Sequence, residues 1–303
     1  MIMLRSMEII ELKRGLYMDK NSIVKAEILS QALPYIQKYN NKIVVIKYGG
    51  NAMINDKLKM NVIEDVVLLS EIGVKVILVH GGGPEINGTL KKMNKESQFI
   101  NGLRYTDDET IDVVQMVLAG KTNKDLVKLI MQKGGNAVGI SGIDNQLIVA
   151  KKHECEDDLG YVGDVDKINP HIIFDLLDKG YIPVIASVGT DEEGHTYNIN
   201  ADTAAAEIAG ALGAENMILV SDIPGLLADK DDESSLIPFV HVYEVNSLID
   251  KGIISGGMIP KVDCCVRAIR QKVKKAFIID GRIPHSILIE MLSKDGIGTM
   301  FKR

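Results

Sequence analysis

The sequence has little of what would mark a secreted, membrane-spanning or nucleic-acid-binding chain. Its three cysteines are Cys155, Cys264 and Cys265. An odd count with two of them adjacent offers neither a disulfide framework nor a metal-ligand spacing, so a reducing, cytoplasmic setting is expected. No apolar run reaches the ~18 residues of a membrane span. The opening stretch MIMLRSMEIIELKRGLYMDK mixes apolar and charged residues and has no small-residue cleavage site, which argues against a signal peptide. Met18 is a candidate internal start that would leave residues 1–17 as an extension. Positive charge is not in excess either: 35 Lys+Arg stand against 41 Asp+Glu, a formal net charge of −6. With a pI near 5.6, no nucleic-acid partner is expected. The 28 glycines follow no fixed period, which excludes a collagenous chain. What is present is apolar material, 46% of 303 residues, enough for a large core and too much for a disordered chain. The length alone suggests about two domains.

Residues 21–40 read as an amphipathic helix, with Ile23, Ile28, Leu29, Ala32, Leu33 and Ile36 near helical spacing and Asn21 or Ser22 as N-cap. Pro34 inside the pattern predicts a kink. Such a helix packs on its own domain or serves as an arm that docks a neighbouring subunit. From Lys42 onward, short apolar runs alternate with amphipathic stretches. KIVVIK (42–47), KVILVH (75–80), 137–141, YIPVIAS (181–187), NMILVS (216–221) and KAFIID (275–280) read as buried strands. Helices are expected at about 57–72, from Pro84, near 107–119 and 122–133, over 168–179 and 201–212, and on both sides of the last strand. The stretch 145–168 reads as hairpin-like. Continuous Val/Ile/Leu strands alternating with helices predict an α/β fold, a mostly parallel open sheet covered on both faces. A boundary near 210–215 divides the chain into an N-terminal extension and helix arm (1–41), a first lobe (42–212) and a second lobe (213–303).

Three familiar glycine motifs fail. Gly120-Lys121-Thr122 lacks the P-loop glycine, whose position holds Gln115. The Rossmann spacing after Gly81-x-Gly83 falls on Ile86. His80-Gly81-Gly82-Gly83 has no G-x-S-x-G nucleophile elbow to serve as oxyanion loop. Protein-kinase motifs are also missing. The glycines can still present backbone N–H groups to an anion, since Gly49-Gly50 and the 81–83 cluster lie at strand ends and Lys47 precedes the first. Tight turns are the plain alternative. In Ser255-Gly256-Gly257-Met258-Ile259-Pro260-Lys261, Pro260 marks a helix start. A lysine in that first turn opposes the helix dipole, so Lys261 is either solvated or faces an anion. YNINADT (197–203) places two asparagines and an aspartate ahead of a very apolar helix.

Taken together and in order, Lys47-Tyr48-Gly49-Gly50-Asn51-Ala52-Met53, His80-Gly81-Gly82-Gly83-Pro84, Gly102-Leu103-Arg104, Asn198-Ile199-Asn200-Ala201-Asp202 and Gly256-Gly257-Met258-Ile259-Pro260-Lys261 resemble the amino-acid kinase family, in its branch acting on N-acetyl-L-glutamate for L-arginine biosynthesis. The resemblance covers about residues 22–303. It implies an αβα sandwich with the acetylated amino acid in the first lobe and ATP in the second. It implies that Lys47 and Lys261 neutralise the transferring phosphoryl group and that Asp202 organises both. Gly50, Gly82 and Gly83 would be backbone donors near the phosphoryl group and substrate, with Gly50, Gly82, Lys47 and Lys261 on the ATP phosphates. Arg104 and Asn198 would hold the substrate, Arg104 through a carboxylate, and 221–229 (SDIPGLLAD) would face the nucleotide. His80 reads as structural. The resemblance also implies a homo-oligomer, a dimer or a hexamer linked by the N-terminal helix, and an L-arginine effector site at Glu290 and Gly296. Phe277 departs from that pattern where arginine-inhibited members carry histidine.

The residue types suit this chemistry on their own. A side-chain carboxylate, pKa about 4.3, is already ionised at neutral pH, so no general base is needed. The obstacle is bringing one anion to another, which lysines, glycine amides and Mg²⁺ entering on ATP address. No protein metal cage is expected, and arginine grips a carboxylate in a bidentate way that lysine does not. Two rival readings stay open: another carboxylate kinase, acting on aminoadipate or on glutamate (glutamate 5-kinase), and a non-catalytic amino-acid sensor on the same scaffold.

Overall fold

Runs such as IVVIKY and KVILVH carry an apolar residue at almost every position, so as strands they have no face to give to water. The structure, a computed structural model, describes residues 20–53 and 55–303; the candidate start at Met18 and the extension 1–17 lie outside them. Helix α1 (Lys20–Tyr39) covers the stretch expected to be helical and runs past Pro34 to its end. It falls in a separate unit, which ends at Lys38, and residues 39–303 form the other.

In residues 39–303, β1 (Ile43–Tyr48), α2 (Asp56–Glu71), β2 (Lys75–His80) and α3 (Gly83–Lys92) open the fold. Two short strands follow, β3 (Phe99–Ile100) and β4 (Leu103–Arg104), then α4 (Asp108–Gln115) and α5 (Asn123–Gln132). Next come β5 (Ala137–Ser141), β6 (Ile148–Lys152), β7 (Val162–Ile168), α6 (His171–Asp178), β8 (Ile182–Ala186), β9 (Val188–Thr190), β10 (Thr196–Ile199) and α7 (Ala201–Ala211). The chain ends with β11 (Asn216–Ser221), β12 (Phe239–His241), α8 (Val245–Asp250), α9 (Met258–Arg270), β13 (Lys275–Asp280), α10 (Ser286–Leu292) and β14 (Thr299–Lys302).

Eight strands form one sheet in the order β12-β14-β13-β11-β1-β2-β8-β5. Every neighbouring pair is parallel except β13 and β14. The expected α/β architecture is thus present. The sheet runs unbroken through residues assigned to both lobes, with β11 of the second beside β1 of the first. That neighbour relation marks where the strand order reverses: from β1 the chain builds outward through β2 and β8 on one side and through β11 and β13 on the other. Ligands of such sheets bind at the carboxyl ends of strands at this point.

Three features differ from the sequence reading. The hairpin-like stretch pairs β6 with β7 as expected, but β9 and β10 join them and close a small four-stranded ring. Strands of three or four residues are too short to show a period, and β12 and β14 were unrecognised for the same reason. The two helices near 107–133 are joined without a loop, because Met116–Thr122 continues α4 into α5 as a wider, π-helical segment. Gly120 bends the pattern there without ending it.

Candidate active site

Lys47 occupies the carboxyl end of β1, between Val79 of β2 and Leu219 of β11. Such a position is dry, and only 9% of the residue is exposed. A buried ammonium needs an anion, and Asp202 supplies it from the first turn of α7: Nζ stands 2.8 Å from Oδ1. The other oxygen of Asp202 pairs with Lys261 of α9 at 3.3 Å. An aspartate suits a helix N-terminus, where the dipole favours negative charge. Asn200 fixes that terminus by accepting from the backbone N–H groups of Asp202 (2.9 Å) and Thr203 (3.1 Å). Burial by itself would raise the Asp202 pKa. The charge of Lys47, then that of Lys261, outweighs it and holds the carboxyl below its ordinary value. Two ammoniums against one carboxylate leave an excess of positive charge.

That excess lines a cleft of about 220 Å³. Its glycines are placed by geometry that side chains would spoil. Gly50 has a left-handed φ of +69°, and a Cβ on Gly82, which precedes α3, would sit 2.7 Å from Leu118 Cδ2. Gly83 and Asn198 also border the cleft, and Asn198 Nδ2 donates to Thr106 Oγ1 at 3.3 Å. Arg104, 7% exposed at the end of β4, lines the same cleft as Lys47. Its Nη1 donates to Ser97 Oγ (2.7 Å), its Nη2 to the Gly83 carbonyl (3.3 Å), and its guanidinium lies 4.7 Å from the Phe99 ring centre. No carboxylate pairs with it among the described residues. Burial lowers its pKa, yet a guanidinium stays charged. The cleft is therefore lined by two cations, Lys47 and Arg104, by backbone donors and by one carboxylate, Asp202, which also pairs with Lys261.

His80 is fully buried under the glycine turn, and desolvation pushes its pKa down to about 4, so the ring is neutral. It is held on both sides rather than facing the cleft: Nδ1 lies 2.9 Å from the Gly81 carbonyl and Nε2 3.1 Å from Asn123 Nδ2. Its structural reading holds in that sense.

A second cavity, about 310 Å³, is walled by Ile223 and Leu227 from the 221–229 stretch and by Ile253 and Met258. Arg282 borders it and is clamped on Asp280, Nε to Oδ1 at 2.9 Å and Nη2 to Oδ2 at 2.7 Å. Glu290 and Gly296 are close to each other but line neither cavity. Glu290 Oε2 accepts from the backbone N–H groups of Ile297 (2.8 Å) and Gly298 (3.1 Å), and Gly296 turns the chain with φ +61°. On the β9–β10 turn, Asp191, Glu193 and His195 bring potential ligand atoms within 4.8 Å of one another, although Asp191 is already taken by His195 and Tyr197.

Lys47, Asp202, Gly50, Gly82, Gly83, Arg104 and Asn198 thus line one cleft, while Lys261 does not line it and joins the group through its ion pair with Asp202. Sequence reasoning missed Ser97, Thr106 and Asn123, single polar residues whose partners come from elsewhere in the chain. Asn200 carried a readable signal, an asparagine two residues ahead of an acidic first turn.

The Amino acid kinase family matches residues 42–280. The acetylglutamate kinase of Clostridium beijerinckii is 55% identical over 281 residues, 92% of this chain and 99% of its own. That of Brachyspira hyodysenteriae is 56% identical over 92% of this chain and 97% of its own. In structure, an N-acetylglutamate synthase of Neisseria gonorrhoeae complexed with coenzyme A and N-acetyl-glutamate superposes with a TM-score of 0.80 at 22% identity. The match covers 92% of this chain and 63% of the synthase, and at that identity it bears on the fold alone.

Proposed function

The chain belongs to the amino acid kinase family, and we propose that it transfers the γ-phosphoryl group of ATP to the side-chain carboxylate of N-acetyl-L-glutamate, in L-arginine biosynthesis. The observation that carries this is one cleft lined by Lys47, by an Asp202 that Lys47 and Lys261 share, and by an Arg104 with no carboxylate partner among the described residues. The identity to named acetylglutamate kinases over nine tenths of the chain selects the substrate.

Arg104 grips the α-carboxylate, with the Ser97 hydroxyl and the Gly83 carbonyl fixing its planar fork. Asn198 holds the amino-acid portion from the opposite wall. A side-chain carboxylate oxygen then attacks the γ-phosphorus, the bond from phosphorus to the bridging β,γ-oxygen breaks, and ADP leaves with that oxygen's electron pair. No proton moves, so no general base is required. Lys47, Lys261 and the N–H groups of Gly50 and Gly82 offset the charge of two anions drawn together, and Asp202 keeps both lysines in place between turnovers. Mg²⁺ enters as part of the substrate on ATP oxygens; the cleft's one carboxylate is occupied by lysines. The second cavity takes the nucleotide's base and ribose.

Two regulatory assignments accompany this reading. Helix α1, with Ile28, Leu29 and Leu33 exposed, is the arm of a hexamer built from dimers. Glu290 and Gly296 hold an L-arginine effector, with Phe277 in place of a hydrogen-bonding histidine. Light scattering tests the first and steady-state rates with and without arginine test the second: a particle no larger than a dimer removes the arm's role, and rates unchanged by arginine remove the effector.

Hydroxylamine trapping tests the reaction. With Mg²⁺-ATP, hydroxamate is expected from N-acetylglutamate and not from glutamate or aminoadipate. Product from a rival substrate alone would overturn the assignment, and product from none would favour the sensor reading.

A further inference from the structure

Neutral, fully buried and out of contact with the cleft, His80 takes no part in the mechanism above, yet its two ring nitrogens are both engaged. We propose that His80 is a positioning residue: as its Nδ1–H tautomer it holds the Gly81 carbonyl and so aims the N–H of Gly82 at the transferring phosphoryl group, with Asn123 fixing that tautomer. The proposal rests on the phosphoryl-transfer reading.

The proton can be placed from the neighbours alone. The Gly81 carbonyl, 2.9 Å from Nδ1, can only accept, so Nδ1 carries the hydrogen. A neutral ring protonated there has Nε2 as acceptor, and Asn123 Nδ2 donates to it at 3.1 Å. The orientation of the Asn123 amide is itself over-determined. Its two N–H hydrogens are shared among Nε2 and the carbonyls of Ile140 (3.1 Å) and Val184 (2.9 Å), and its oxygen accepts from Lys124 Nζ (3.1 Å). Asn123, with no exposed surface, thus ties β5 and β8 to the ring.

The consequence for the cleft follows from peptide geometry. Carbonyl and N–H of a trans peptide point in opposite directions, and there are no cis peptides among the described residues. Holding the Gly81 oxygen on the buried side therefore turns the Gly82 N–H to the other side of the same plane. The preceding His80–Gly81 peptide is anchored at both ends, Gly81 N donating to the Tyr48 carbonyl (3.3 Å) and the His80 carbonyl accepting from Ser187 N (3.2 Å), and in the following peptide the Gly82 carbonyl accepts from Ile86 N (2.9 Å). A glycine turn this short of side chains has little else to hold its peptide planes, and a donor that is aimed in advance costs no reorganisation during the reaction.

An asparagine amide nitrogen reaches the position of Nδ1, whereas leucine fills the volume and donates nothing. His80→Leu is expected to lower kcat about 30-fold with KM values within about twofold, as part of the roughly 10²–10³ that one such donor is worth. His80→Asn is expected to recover at least tenfold of that loss. Equal kcat values for the two variants, or a leucine variant as fast as the parent, would overturn the proposal. Should either variant fail to fold, two-bond ¹H–¹⁵N spectra of the unaltered protein decide: Nδ1–H with a bare Nε2, unchanged between about pH 6 and 8, supports the assignment. An Nε2–H ring, or one that titrates in that range, overturns it. Hydroxamate assays on the unaltered protein keep the two readings separate, because no product there sinks the reaction and not the tautomer.

Discussion

The two cavities are made of opposite materials. The cleft at the ends of β1 and β2 is lined by two cations, one carboxylate shared with a third, and glycine N–H groups. The cavity by the 221–229 stretch has an apolar wall, and its arginine is already neutralised by Asp280. On the proposed reading, the unpaired guanidinium of Arg104 stands where the anionic substrate binds, whereas the second cavity combines apolar walls with charges of both signs, Lys230 and Glu233 among them. An acidic chain can run an anionic reaction on these terms, because net charge is a sum and the site is a local excess.

The comparison breaks if residues of one cavity behave like those of the other. The largest effect is expected at Lys47→Ala, which should lower kcat by about 10³ and leave both KM values within a few fold; steady-state kinetics on both substrates would reveal it, and an unchanged kcat removes its role. Asp202→Asn should follow closely, since two lysines then repel with no anion between them. Next comes Arg104→Lys, expected to raise KM for N-acetylglutamate by about tenfold or more while KM for ATP stays put, because a single ammonium cannot form the fork. Smaller still, Met258→Ala should raise KM for ATP a few fold and leave the acetylglutamate value alone, in keeping with about 0.8 kcal/mol, the worth of one buried methylene. Crossed effects in the last two would mean that the cavities are not separate in function.

A control outside both cavities is expected to touch stability only. Asp191 is pulled down to about 2 from 3.8; burial alone would raise it, but the hydrogen bonds and charge of His195 prevail. His195 is raised from 6.5 by the same partner. A lowered carboxyl contributes above its unfolded pKa and loses that contribution as pH falls from 3.8 towards 2. A raised histidine contributes below 6.5 and loses it as pH rises through its folded value. The pair therefore helps only in the window between these limits. The melting-temperature difference between the parent and His195→Gln should be small there and vanish above it, and activity should not change.

Most of the sheet was legible because buried parallel strands are written as unbroken apolar runs; 75–80, 137–141, 216–221 and 275–280 match the observed strands end to end. The small ring was not, since β9 and β10 owe their pairing to partners rather than to a period of their own. The cleft was legible to the extent that its chemistry sits in compact motifs. Asn123 was invisible because its function depends on carbonyls of Ile140 and Val184 that only folding brings near. Ser97 was invisible in the same way, defined by the arginine it steadies. Glu290 shows the reverse case. Its motif was readable, but the backbone amides of Ile297 and Gly298 that occupy one of its oxygens were not.

Lys47 and Lys261 meet on one carboxylate although they come from opposite ends of the sheet's sequence. During synthesis, β1, β2 and α7 emerge long before α9, and until α9 docks Asp202 has one cation instead of two. The charge balance around Asp202 is therefore set only once α9 has docked, together with the core residues that α9 brings, Val262, Cys265 and Ile269 among them. A chain cut short after β11 would lack Lys261 and is expected to show no turnover.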